Sequence, residues 1–211
     1  MTGVGNMNKF LIQGIFPTPI ITSEINYKFN KAELEFILEF KQKTYQNISN
    51  ITSQENYILQ SPEMKNIAEF IQEGIECYVQ SIIDPVETLD FYVTQSWLNF
   101  TEPNQYHHEH NHVNSLISGV FYINADPDQD KIHFINNEYE RISVTPRNYN
   151  HFNTIGWVIP VDTGKVVLFD SRLKHAVEST TSTDTRISLA FNVFARGLFG
   201  NEKSLTALTL K

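Results

Sequence analysis

The sequence predicts a mostly β chain with N-terminal helices (α+β), its core a sandwich or jelly roll, with the helices packed on one sheet. Three observations predict it. Beyond Leu89 the chain breaks into short β-rich runs bounded by turn residues. Before Leu89 it carries two apolar patterns at helical spacing. It also lacks the alternation of strand and helix, the G-x-G-x-x-G turn and the P-loop that mark doubly wound nucleotide-binding folds. Residues 1–90 are expected to form an arm and two supporting helices, and residues 91–211 the core, together one structural unit.

The elements follow in order. Up to about Tyr27 the chain reads as an irregular arm, kept extended at Phe16-Pro17-Thr18-Pro19 by its prolines. Asn30 is placed to cap a helix, with Glu33 three residues on to complete a capping box, and Leu34, Ile37 and Leu38 carry the pattern to about Thr44. The polar stretch Asn47 to Asn56 reads as a loop. Ser61-Pro62 opens a second helix, whose buried stripe is Met64, Ile67, Ala68, Ile71, Ile75, Tyr78, Val79 and Ile82, and Asp84-Pro85 ends it. Strands are expected at Phe91–Phe100, Leu116–Asn124, Lys131–Ile135, Thr154–Ile159, Lys165–Asp170, Ala176–Ser179 and Arg186–Phe194. Asp126-Pro127-Asp128 and Asp162-Thr163-Gly164 are turns between them.

Composition narrows the function. Hydrophobic residues make up 41% of the 211 and charged residues 19%, a balance that supports one folded domain. The net charge of −8 argues against a general nucleic-acid binder, which needs a basic surface. Cys77 is the single cysteine, so no internal disulfide forms. No signal-peptide pattern and no apolar run near the ~20 residues of a membrane span are present. The expectation is a cytoplasmic protein without membrane association. A homo-oligomer is compatible with all of this.

Four of the seven histidines fall in Tyr106-His107-His108-Glu109-His110-Asn111-His112, and His175 lies 63 residues beyond. In an extended segment His108, His110 and His112 share one face, and His107, Glu109 and Asn111 the other. Two imidazoles at i and i+2 can grip one ion, and a distant strand must return the third ligand. Imidazole suits Fe(II), Zn(II), Cu(II) and Ni(II) alike, and a solvated histidine-rich loop is the plain alternative. Eleven residues after His175, Arg186 and Ser188 point to the same face of a strand. A guanidinium with a hydroxyl is a receptor for a carboxylate.

These segments resemble the 2-oxoglutarate/Fe(II)-dependent dioxygenase superfamily, within it a branch of small oxygenases of bacteria and their viruses whose substrates are largely unassigned. The resemblance is carried by Ser96-Trp97-Leu98-Asn99, by His110-Asn111-His112 with Asn114-Ser115-Leu116-Ile117-Ser118-Gly119-Val120-Phe121-Tyr122-Ile123, by Gly164 to His175, and by Arg186-Ile187-Ser188-Leu189-Ala190-Phe191-Asn192. It covers about half the chain and implies that the jelly roll is a cupin-like double-stranded β-helix. It implies His110, His112 and His175 as iron ligands, and Arg186, Ser188 and Tyr122 around the distal carboxylate of 2-oxoglutarate. Trp97, Asn99 and Asn192 are possible pocket residues. It further implies Fe(II), 2-oxoglutarate and O2 as the working set, with hydroxylation of a substrate and release of succinate and CO2. The superfamily usually has Asp or Glu where this chain has His112, and His107 with Glu109 is a competing register that restores a carboxylate. Two rival readings are a cupin-like three-histidine dioxygenase that needs no 2-oxo acid, and a metal-binding jelly-roll module without turnover. The substrate (small molecule, peptide or nucleotide) is not specified by the sequence. The polar and aromatic segments Asn136 to Arg141 and Asn148 to Asn153 are placed to shape the entrance, with His133 and His151 in surface or capping roles.

Overall fold

Apolar side chains that alternate along a strand must bury one face, and here the strands of the larger sheet bury both. The computed structural model describes residues 11–136, 144–180 and 183–211. The helices are α1 (Lys31–Glu39) and α2 (Lys65–Tyr78). The strands are β1 (Ile20–Thr22), β2 (Thr44–Gln46), β3 (Ile51–Ser53), β4 (Asp90–Thr101), β5 (His107–His110), β6 (Ile117–Asn124), β7 (Lys131–Ile135), β8 (Gly156–Pro160), β9 (Val166–Asp170), β10 (Lys174–Val177), β11 (Arg186–Phe199) and β12 (Leu208–Leu210). The chain is thus mostly β, with two antiparallel sheets. The larger runs β1-β9-β6-β11-β4-β3-β2 with β12 on β11, and the smaller runs β5-β10-β7-β8.

The larger sheet separates two apolar layers. Phe121 and Ile123 of β6, Leu189, Phe191 and Val193 of β11, Leu98 and Phe100 of β4 and Leu168 of β9 face α2, whose Ile67, Ile71 and Ile75 are fully buried against them. The intervening residues point the other way, and Tyr122, Val167 and Phe169 meet Ile132 and Phe134 of the smaller sheet. Gly119 sits where a Cβ would run into the Phe191 ring and Leu168, so the close approach of β6 to that layer requires glycine. Among the described residues no helix is long and apolar enough to cross a membrane.

Local departures from the sequence reading have local causes. The capping box at Asn30 and Glu33 forms as expected, with both bonds at 2.9 Å. The helix, however, ends at Glu39 and tightens through Phe40–Gln42 into β2. The expected loop Asn47 to Asn56 contains β3, because the β-branched Ile51 and Thr52 pair with Phe100 and Asn99 on the edge of β4. The arm contributes β1, whose Ile20, Ile21 and Thr22 pair with Phe169, Leu168 and Val167. α2 runs on through a wide turn, Val79–Ile83, and stops at Asp84 in a left-handed conformation. His175 lies inside β10 rather than before it, since that strand is paired on both sides, with β5 and with β7. Asn137 to Arg141 of the expected entrance segment lie outside the described residues.

Candidate metal centre

β5 and β10 are neighbours in the smaller sheet, and His110 pairs directly with His175. The ligating nitrogens of His110, His112 and His175 all lie within 4.8 Å of one another. The His110 and His175 rings are 4.3 Å apart, and the His112 ring is 5.1 Å from the first and 5.3 Å from the second. His110 Nδ1 is 2.8 Å from the His108 carbonyl oxygen, and His175 Nδ1 is 3.0 Å from that of Leu173. A ring that gives its Nδ1–H to a carbonyl keeps the Nε2 lone pair for an ion. Burial, reinforced by the neighbouring imidazoles, pulls the His175 pKa down to about 3 and that of His112 to about 4, and lowers that of His110. Neutral imidazole is the ligating form.

His112 lies beyond the end of β5. Its backbone N–H reaches the Ser171 carbonyl at 2.9 Å, and its ring lies against Trp97 (5.9 Å between centroids). Asn192 of β11 is the register partner of Ser118, and its amide opposes the fall in the His112 pKa. The same amide accepts from Ser118 Oγ at 3.1 Å. Ser118 Oγ is 2.8 Å from Ser171 Oγ, which is in turn 2.8 Å from Ser115 Oγ. The serine row was missed from sequence. Its signal is the polar Ser115, Ser118 and Ser171 standing beside apolar strands.

The alternation expected along the histidine run fails at one point. His175 pairs with His110, but Val177 pairs with His107, so β5 carries an extra residue. That bulge turns His107 onto the His110 ring, stacked at 4.5 Å and 16°. Burial, then the charges of His110, His108 and Arg186, bring its pKa down to about 3. Glu109 projects to the other side and pairs with Lys174 at 3.0 Å, so the competing register brings its carboxylate to a surface ion pair rather than to the cluster.

Arg186 opens β11, on the inward face that also carries Ser188 and Asn192. It is 4% exposed, with Nη1 3.3 Å from Asp130 and Nη2 3.2 Å from Thr101 Oγ1. Asp130, 2% exposed, is the counter-charge that sequence reasoning did not find. Ser188 pairs with Asn99 on one side and Tyr122 on the other. Tyr122 Oη is buried with no hydrogen-bond partner among the described residues, and burial raises its pKa while the Arg186 charge opposes the shift. Such an orphaned hydroxyl beside a guanidinium suits a ligand carboxylate. Asn99 turns to β3 instead: its Oδ1 accepts from Thr52 Oγ1 at 3.2 Å and Asn50 Nδ2 at 3.4 Å.

A row of rings crosses the smaller sheet from this cluster. His110, His175, Phe134 and Trp157 are register partners on four successive strands. Trp157, 41% exposed, stacks on His151 at 4.1 Å. His133 faces the other side, 3.9 Å from Glu178.

Comparison with known proteins agrees. Residues 95–192 match the model of the family described as "Putative 2OG-Fe(II) oxygenase". No curated protein is a significant sequence match. Among solved structures, the chain is similar to the non-heme alpha ketoglutarate dependent carbocyclase SnoK from nogalamycin biosynthesis (13% identity, 92% of this chain and 90% of that one, TM-score 0.60). It is similar also to HygX from Streptomyces hygroscopicus with nickel, 2-oxoglutarate and hygromycin B bound (13%, 83% and 82%, 0.55). A third is a Pseudomonas putida prolyl-4-hydroxylase (11%, 83% and 92%, 0.54). At these identities the likeness is one of fold. The chain thus carries, over residues 95–192, a match to the 2-oxoglutarate/Fe(II)-dependent oxygenases. It is an oxidoreductase of the 2-oxoglutarate-dependent non-haem iron class, whose working set is Fe(II), 2-oxoglutarate and O2.

Proposed function

We propose that the chain hydroxylates a small-molecule substrate, with conversion of 2-oxoglutarate to succinate and CO2, and that His110, His112 and His175 hold the iron. The two sheets are read as a double-stranded β-helix, with residues 91–211 its catalytic core and residues 1–90 the arm and supporting helices of the same unit. The observation that carries the reading is the meeting of three neutral imidazoles within 4.8 Å, on the face of the smaller sheet that looks toward Arg186. Iron bound there supplies the dioxygen chemistry that no side chain possesses.

The remaining tasks fall to the chain. Arg186 receives the distal carboxylate of 2-oxoglutarate, with Tyr122 Oη donating to it and Ser188 alongside. Asp130 holds the guanidinium in place before the ligand arrives. Phe169 and Phe134 pack beside His175 and keep water from that side. Trp157 with His151, at the exposed end of the ring row, is where we place the substrate. HygX, of the same fold, has hygromycin B bound, which supports a small molecule over a polymer. No general acid or base is needed, and none is assigned.

Adding Fe(II) and then 2-oxoglutarate without oxygen tests the site. The expected result is a weak visible charge-transfer band, lost in His175→Ala. Tight zinc binding without that band in the native chain would instead favour a metal-binding module without turnover.

A further inference from the structure

We infer that Ser171 is a positioning residue for the metal centre: the turn it occupies, Asp170 to Leu173, holds two of the three histidines from one short piece of chain. The inference rests on the reading of His112 and His175 as iron ligands. His112 lies past the last paired residue of β5, outside the register of that strand. Its backbone N–H donates instead to the Ser171 carbonyl at 2.9 Å. Two residues further on, the Leu173 carbonyl oxygen lies 3.0 Å from His175 Nδ1. The turn that presents both carbonyls is closed by bonds of its own. The Leu173 N–H reaches the Asp170 carbonyl at 2.9 Å, and the Asp170 carboxylate accepts the Arg172 N–H at 2.9 Å and its guanidinium at 2.7 Å.

Every polar group of Ser171 is engaged. Its N–H donates to the Leu116 carbonyl at 3.2 Å, and its Oγ lies 2.8 Å from Ser115 Oγ and 2.8 Å from Ser118 Oγ. Ser171 is not exposed at all, and Ser118, at the start of β6, is 1% exposed. Burying a hydroxyl costs free energy unless it is bonded, and alanine would fill the same position without that demand. The hydroxyls join the turn to β6. Through Ser115 Oγ, which donates to the Ile117 carbonyl at 2.9 Å, they also join it to the segment leading away from His112. A ligand beyond the end of a strand needs such support, because a loosely held first shell spoils the geometry the ion requires.

The test uses the metal-free, 15N-labelled full chain and reads amide hydrogen exchange at His112 and, for reference, at Leu189 in the middle of β11. Co(II) is then added, and its affinity and visible d–d band are recorded. Ser171→Ala is expected to speed exchange at His112 relative to Leu189, to alter the d–d band, and to weaken Co(II) binding by about 10–100-fold. Ser115→Ala, which removes one partner of the Ser171 hydroxyl, should move the same readouts the same way but less, and it decides the question if Ser171→Ala does not fold. A role in stability alone would lower the urea midpoint and leave the exchange ratio, the band and the affinity as in the native chain. That result, with Co(II) lost in His112→Ala, would overturn the role of Ser171 alone. Unchanged Co(II) binding in His112→Ala would overturn the assignment of that ligand itself.

Discussion

At the scale of single residues, the Arg186–Asp130 pair carries two burdens that can be separated. Their side chains are 3% and 2% exposed. Arg186→Met strands a buried carboxylate and should cost about 3–5 kcal/mol in a denaturant titration. The double change Arg186→Met, Asp130→Leu should recover most of that stability, yet not the affinity for 2-oxoglutarate measured by calorimetry. The imidazoles give a second prediction. Above about pH 6.5 they are neutral whether the chain is folded or not, and they leave stability unchanged. Below it the unfolded chain binds protons that the folded one resists, because burial holds His107 and His175 near 3 and His112 near 4. Stability of the metal-free protein should therefore fall as pH drops from 6.5 toward 4, seen as a lower urea midpoint at pH 5 than at pH 7.5. The i, i+2 spacing of His110 with His112 and of Arg186 with Ser188 was legible as strand alternation, whereas the choice of His110, His112 and His175 came from the family resemblance of the surrounding segments. Asp130 was not legible, since its partner is 56 residues away and nothing local distinguishes it from the neighbouring turn aspartates.

At the scale of elements, α2 is held by its apolar stripe rather than by its caps. Ile71→Ala removes a fully buried side chain and should cost about 2–5 kcal/mol, measured by chemical denaturation, with the metal site intact in the survivors. That stripe and most strands were legible because burial repeats at 3.6 or at 2 residues. Short edge strands were not: β1, β2 and β3 are three residues each and owe their form to a partner elsewhere in the chain. The bulge in β5 was equally hidden. It depends on how β10 returns, and it alone puts His107 against His110 instead of on the outer face.

At the scale of the whole molecule, the folded state alone assembles the three histidines, so ligands should stabilise it. Fe(II) and 2-oxoglutarate, each at about 100 times its dissociation constant, should each add about 2.7 kcal/mol, read as a rise in the melting temperature under nitrogen. The rise should vanish for Fe(II) in His175→Ala. β11 has a wider consequence. Arg186, Ser188 and Asn192 stand on one side of it, Ile187, Leu189 and Phe191 on the other, and the strand works as a ruler with function ruled on one edge and cohesion on the reverse. Dropping a single residue between Ser188 and Asn192 would transpose the two edges downstream, exposing oil to the cavity and charge or amide to the helices. Side chains on this strand are open to drift one at a time, but its length is not.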